Sequence, residues 1–360
     1  MTQTKWYESP EVDRGVIISS RIRLARNLRK YAFPTRLSPT GAVAMIDEMK
    51  NAVKNERTVI ADAFDFADLT DAPEAMLNEL LERHAISREM IQRKGPKALL
   101  SNERDAVYIL LNEEDHARIQ TVFPGENIEK AFDMADKIDN LIEESVEYAF
   151  EGAFGYLTSC PTNTGTGMRA SYMLHVPALE MSGQLKNVAQ AIAKFGMAVR
   201  GIHGEGSESM GGIVQVSNQL TLGKSESEIL AGLKNVTQQI IDRELHFRNR
   251  WLADNKDDLL DRCYRAYGIL TNCRKISAAE ALRLLSDIRL GYVSEVFDKP
   301  RPSKTIYHIM MEVQPWSIQR LMGRAQNEAE RDILRARYLN GMFSDSTQWE
   351  NTIDNNEIGE

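Results

Sequence analysis

The sequence predicts a mixed α+β domain followed by a smaller all-helical domain. Three observations carry this. Residues 16–24 and 169–177 alternate in polarity with a period of two, the signature of half-buried strands. Ser225 and Glu228 form a capping box, and from there to about Arg337 almost everything reads as helix. The 360 residues, 42% hydrophobic, supply core for one large domain or two.

Taken in order, residues 16–24 place Ile18, Ser20, Ile22 and Leu24 on one strand face and Ser19, Arg21 and Arg23 on the other. Ser38 and Pro39 open a helix whose apolar stripe is Ala42, Ile46, Met49 and Val53. Strands are expected over 106–112 and 155–159. In residues 169–177, Ala170, Tyr172, Leu174 and Val176 oppose Arg169, Ser171, Met173 and His175. A helix with Leu185, Val188, Ile192 and Phe195 in a stripe follows, then strands over 199–202 and 213–222. Between these two strands, residues 203–212 are glycine-rich and read as a mobile loop. A second capping box at Ser277 and Glu280 lies in the helical part. The expected division is therefore 1–225, extending to about 255 if the long helix packs there, then 256–343, with a polar, disordered tail over 344–360.

Composition narrows the function. The net charge of -8 argues against a nucleic-acid surface, while local arginine clusters such as Arg21, Arg23 and Arg26 suit small anions such as phosphates. No run of about 18 apolar residues suggests a membrane span, and the polar start lacks signal-peptide character. The three cysteines form no metal-ligand spacing with the six histidines, so no metal site is expected in the protein itself, and a reducing cytoplasm fits.

Four arginines, Arg21, Arg23, Arg118 and Arg169, lie on expected strands or their ends, and Arg200 precedes the glycine-rich stretch. Planar guanidiniums bind phosphate oxygens through paired hydrogen bonds, so their convergence would hold a triphosphate; singly, each reads equally as a solvated surface residue. Asn112 to Arg118 places acidic residues just past a strand end, either lining a cleft or forming an ordinary polar turn. His84 and His116 read as structural. Thr158 to Ser171 runs from a strand through Cys160-Pro into small hydroxyl and glycine residues, which expose backbone N–H groups to a ligand. It is not a Walker A loop, because no Lys-Ser/Thr follows the last glycine. The residues alone thus give an anion-binding α/β protein.

The blocks Ser19-Ser-Arg-Ile-Arg23, Asn112-Glu-Glu-Asp-His-Ala-Arg118, Cys160-Pro-Thr-Asn-Thr-Gly-Thr-Gly-Met-Arg-Ala-Ser171 and Arg200-Gly-Ile-His-Gly-Glu205 resemble the signature blocks of the ATP:guanido phosphotransferases, in family order. The chain is most similar to the bacterial protein-arginine kinase branch. Only 18 residues precede Ser19, where phosphagen kinases carry a helical domain of about a hundred residues. In addition, Arg331-Asp-Ile-Leu-Arg335-Ala336 looks like the element by which that branch binds phosphoarginine allosterically; alone, it reads as an exposed helix face with an Arg–Asp pair.

The resemblance implies a catalytic domain built on an antiparallel sheet flanked by helices. It implies a kinase that transfers the ATP γ-phosphate, with Mg2+, to arginines exposed on protein substrates. Glu114 and Glu205 match the catalytic carboxylates and Cys160 the cysteine beside the substrate guanidinium. Arg21, Arg23, Arg118, Arg169 and Arg200 match the phosphate clamp, and His84 a position near the base or ribose. The implied nucleotide contacts also take in Ser19, Ser20, Ile22, Ala170, Ser171, Tyr172, Met173, Gly201, Ile202, His203 and Gly204. Arg331, Asp332, Arg335 and Ala336 match the phosphoarginine site. His203 departs from arginine kinases, which usually carry arginine there. The resemblance further implies a bacterial stress response, a homodimer, a small zinc-binding activator protein and a Clp-type protease. Two other readings stay open: a kinase of free arginine or another small guanidino compound, and a non-catalytic phosphoarginine-binding adaptor.

Overall fold

The computed structural model describes residues 5–54, 61–104, 106–201, 211–323, 325 and 327–344. Ten strands are present among them: β1 (Ile17–Arg26), β2 (Asp65–Asp68), β3 (Ala98–Asn102), β4 (Val107–Leu111), β5 (Ala117–Pro124), β6 (Phe150–Glu151), β7 (Gly155–Tyr156), β8 (Met168–His175), β9 (Met197–Gly201) and β10 (Ile213–Asn218). Eight form one sheet in the order β2-β3-β4-β5-β1-β8-β10-β9, antiparallel throughout, and β6 pairs with β7 as a separate two-stranded ribbon.

Twelve helices accompany them. Seven precede residue 255: α1 (Pro39–Val53), α2 (Glu74–Glu82), α3 (Arg88–Gln92), α4 (Ile128–Glu143), α5 (Pro177–Met181), α6 (Leu185–Ala193) and α7 (Glu226–Asp254). Five follow: α8 (Lys256–Asn272), α9 (Ala278–Val293), α10 (Ile306–Glu312), α11 (Pro315–Met322) and α12 (Glu328–Phe343).

One face of the sheet is apolar along its whole width. Ile22, Leu24, Ile109, Ile119, Ala170, Tyr172 and Val216 pack there against α1, α4 and the first half of α7. The expected stripe of α1 is buried, and Ser38 Oγ accepts from the Gly41 amide at 3.1 Å. The capping box at Ser225 and Glu228 forms with both of its bonds. At Ser277 the hydroxyl accepts from the Glu280 amide, which caps α9. The other sheet face contributes Ile18, Leu99, Tyr108, Leu110, Val122 and Met173 to a second core, shared with Trp6, Tyr7, α2, α3 and the helices from α8 onward. Trp251 and Leu252, late in α7, pack against this second core, so the long helix serves both.

Several expectations are corrected. Ile18 does not share a face with Ile22 and Leu24: a register shift between Ile17 and Ser19 turns it into the second core. The strand expected over 155–159 shrinks to Gly155–Tyr156, and Phe195, placed in a helical stripe, lies beyond α6 and is 61% exposed. The strand expected over 213–222 ends at Asn218, with Leu220 and Leu222 exposed. The glycine-rich stretch lies largely outside the described residues, as does the tail from residue 345.

Candidate active site

The antiparallel register sets the site. Arg23 pairs with Arg169 on one side and Gln120 on the other, and Arg21 pairs with Ser171. Arg118 lies two residues from Gln120 on β5, so it shares that face. Arg200 pairs with Gln215, which pairs in turn with Met173. Five guanidiniums from β1, β5, β8 and β9 therefore stand on the sheet face away from α1 and α4. A cleft of about 170 Å³ opens over them, lined by Arg21, Arg23, His84, Arg118, Arg200 and Gly201 among others.

Polar neighbours orient part of this set. Arg21 donates from Nη2 to Gln215 Oε1 at 2.6 Å and from Nε to Ser171 Oγ at 3.4 Å. Arg169 donates to Asn163 Oδ1 at 3.1 Å, which ties the clamp to the turn after Cys160. Burial, then repulsion from Arg118, lowers the Arg21 guanidinium to about 10. Burial together with Arg21, Arg118 and Arg169 pushes Arg23 well below its ordinary value, and its Nε is buried with no hydrogen-bond partner. Crowded, desolvated cations with an unmet donor call for an anion. A triphosphate, acceptor-only and multiply charged, fits that need.

The acidic turn begins at Asn112, whose φ of 59° is left-handed, a conformation that asparagine tolerates better than most residues. Two consecutive glutamates then take different environments. Glu113 is buried, accepts from Arg118 Nη1 at 2.8 Å and from the Ser87 hydroxyl, and burial lifts its carboxyl to about 7. Glu114 is 36% exposed and approaches Arg118 Nη2 at 3.6 Å. Cys160 is half-buried, with Sγ 3.0 Å from Thr162 Oγ1. Burial and repulsion from Arg200 and Arg118 lower Arg169, while Cys160 and Glu114 act to raise it, so both groups lie in its electrostatic neighbourhood.

Not all the expected nucleotide contacts share this face. Ser19, Arg21, Arg23, Arg169, Ser171 and Met173 do. The side chains of Ser20, Ile22, Ala170 and Tyr172 alternate to the opposite side: Ile22, Ala170 and Tyr172 lie in the sheet core, and Ser20 bonds to the Gly125 carbonyl and the Asn127 amide. No side-chain contact with a ligand in the cleft is open to these four. Ile202, His203, Gly204 and Glu205 lie outside the described residues.

His84 lines the cleft with a left-handed φ of 59°; Gln120 bonds its carbonyl, and its Nε2 lies 3.3 Å from the Tyr307 hydroxyl. Beyond His84 an apolar pocket of about 270 Å³ continues, walled by Leu282, Tyr307, Met310, Met311 and Trp316. This pocket was missed in the sequence, because it forms only where the helical region meets α2. Glu113, Gln120 and Gln215 were also missed; the alternation of Ala117, Ile119 and Thr121 against Arg118 and Gln120 was the available signal.

The Arg331–Ala336 element is not an exposed helix face. Asp332, Arg335 and Ala336 are buried. Arg335 donates to the Val313 and Ile276 carbonyls and to Asp332 Oδ1 at 2.7 Å. Arg331 stacks over Trp316 at 5.8 Å, behind the apolar pocket.

Among the described residues no helix is long and apolar enough to cross a membrane, and no group of three His, Cys, Asp or Glu side chains forms a metal-binding cluster.

Residues 44–247 match the family described as ATP:guanido phosphotransferase, C-terminal catalytic domain, and residues 256–354 match the protein-arginine kinase McsB C-terminal domain. A protein-arginine kinase of Caldanaerobacter subterraneus subsp. tengcongensis is 40% identical over 91% of this chain and 97% of its own length. One of Bacillus subtilis is 41% identical over 92% of this chain and 91% of its own. Among solved structures, the duplicated taurocyamine kinase of Schistosoma mansoni with bound transition state analog components matches with a TM-score of 0.58 and 27% identity, over 64% of this chain and a third (33%) of that one. Lombricine kinase, at 24% identity and a TM-score of 0.57 over 67% of this chain and 68% of its own, supports the fold alone.

Proposed function

The chain belongs to the ATP:guanido phosphotransferase family, and from that premise we propose that it transfers the γ-phosphate of ATP to arginine guanidinium groups of protein substrates. The observation that carries the reading is the gathering of five arginines on one sheet face, with Glu114 and Cys160 in the neighbourhood of Arg169.

The chemistry needs these groups. A guanidinium has a pKa of about 12.5 or more, so its nitrogen lacks a free lone pair; deprotonating it near pH 7.5 costs roughly 7 kcal/mol at about 1.36 per unit. Glu114, partly exposed beside Arg118, would bind the cation, align its terminal nitrogen and accept the proton. The resemblance gives Glu205 the partner role. The arginines hold the triphosphate and offset charge on the phosphoryl group in flight. Cys160 adds a polarisable group beside the guanidinium. His84 stands where the triphosphate cleft meets the apolar pocket, which suits the base and ribose. Bound with the nucleotide, magnesium would supply positive charge to offset that of the triphosphate; Glu89, which lines the cleft, and Glu113 and Glu114, beside Arg118, would be the carboxylates available to hold it.

The finer reading extends further by resemblance: a cytoplasmic homodimer acting in bacterial stress response, partnered by a zinc-binding activator, its products directed to a Clp-type protease and its activity set by phosphoarginine at Arg331–Ala336. Incubation with ATP and either denatured casein or free arginine tests the central activity. Acid-labile phosphate on casein arginines, found by mass spectrometry, is expected; phosphorylation of free arginine alone would overturn the protein-substrate reading.

A further inference from the structure

The turn that carries Glu114 and the turn that carries Cys160 belong to distant parts of the chain, yet a buried side chain of the first bonds to the backbone of the second. Asp115 is 2% exposed. Its Oδ1 accepts from the Ser159 amide at 2.7 Å and from Asn27 Nδ2 at 2.6 Å. Asn27, through Oδ1, accepts from the His116 amide at 2.9 Å. His116 is buried, which lowers its pKa; Nδ1 accepts from the Leu28 amide at 3.0 Å, so Nε2 carries the hydrogen and donates to the Ala32 carbonyl at 2.9 Å. The imidazole is thus neutral and supplies no counter-charge. The second oxygen of Asp115 is buried without a partner.

A half-satisfied buried carboxylate costs stability, and an uncharged acceptor would serve the fold as well. What this one accomplishes is registration. Ser159 immediately precedes Cys160, and Glu114 immediately precedes Asp115. We propose that Asp115 is a positioning residue for phosphoryl transfer: it fixes the Glu114 carboxylate and the Cys160 thiol at the separation that a bound guanidinium requires. The proposal rests on the protein-arginine kinase reading.

The test compares Asp115→Ala, Asp115→Asn and Asp115→Glu in the full chain, with denatured casein and ATP-Mg2+. Wild-type enzyme is assayed first; if it makes no phosphoarginine, the kinase reading fails and not this inference. Asp115→Ala removes the acceptor, and Asp115→Glu keeps the charge but displaces it by a methylene. Both should lower kcat at least tenfold, with KM for ATP changed less than twofold because the arginine face is untouched. Asp115→Asn keeps an acceptor in place and should stay within about threefold of wild type, the amide group filling the position of the orphaned oxygen. If the alanine variant does not fold, the Asn and Glu pair still decides. A kcat within twofold of wild type for Asp115→Glu, or an Asn variant as impaired as the Glu variant, would overturn the proposal.

Discussion

Arg23 and Arg169 are direct partners across β1 and β8, two cations side by side on one sheet face. Like charges directly opposite one another destabilise a sheet, and here burial raises that cost further. The arrangement persists in a protein that buries Arg23 Nε without a partner. A site kept at the expense of stability is expected where an anion will complete it.

It follows that Arg23→Met should leave the nucleotide-free protein as stable as wild type, or more so by about 0.5–1 kcal/mol, because it removes one member of the repelling pair. The same change should reduce the thermal stabilisation conferred by ATP-Mg2+. Tenfold weaker binding corresponds to about 1.4 kcal/mol less stabilisation at saturating ligand. Differential scanning fluorimetry with and without nucleotide checks both; an undiminished shift would remove Arg23 from the clamp.

Glu113 gives a pH signature. Its folded pKa of about 7 lies above the ordinary 4.5, because burial outweighs the attraction of Arg118 and Arg23. Glu89 and Glu114 push in the same direction as burial. Folding therefore takes up a proton between those values. The contribution is full below the unfolded value and is lost as pH rises through about 7, up to about 3 kcal/mol at about 1.36 per unit. Urea denaturation of Glu113→Gln from about pH 4.5 to 7.5 should show a flatter stability profile than wild type. Parallel profiles would contradict the placement of Glu113.

Much of this was legible in the sequence. The clean alternation of residues 169–177 located β8 and its two faces, and the Ser225 capping box located the start of α7. The bulge that sends Ile18 to the other core left no local sign, because a one-residue slip changes pairing rather than composition. The juxtaposition of Arg118, Arg23 and Arg169 needed the strand order β5-β1-β8, which depends on non-local pairing. Arg335 and Asp332 read as surface charges because nothing local announces that a charged pair is buried.

A buried ion pair ties α9 to the turn that precedes β1. Asp13 accepts from Arg289 Nε at 3.0 Å and from the amides of Ile306 and Tyr307; Arg289 is fully buried and also donates to the Val12 and Gly15 carbonyls. Asp13→Ala would strand that cation and should cost about 3–5 kcal/mol in urea unfolding. A loss below about 1 kcal/mol would show that the pair does not hold the fold.

In the Arg331–Ala336 element, stability and regulation should separate. Asp332→Ala leaves the buried Arg335 without its carboxylate and should cost about 3–5 kcal/mol, so any change in its phosphoarginine response is confounded by unfolding. Arg331→Ala loses a stack on Trp316 worth about 0.5–1 kcal/mol and should keep the fold while blunting the response to phosphoarginine. An unchanged response in folded Arg331→Ala would remove the allosteric reading at that residue.

The most direct test is steady-state phosphorylation of denatured casein by Glu114→Gln, paired with its thermal shift in ATP-Mg2+. The expected result is a fall in turnover of about 100-fold or more with nucleotide stabilisation retained, since the glutamine keeps the shape but cannot accept the guanidinium proton. Near-wild-type turnover in that variant would contradict the assignment of Glu114 and the guanidinium chemistry built on it.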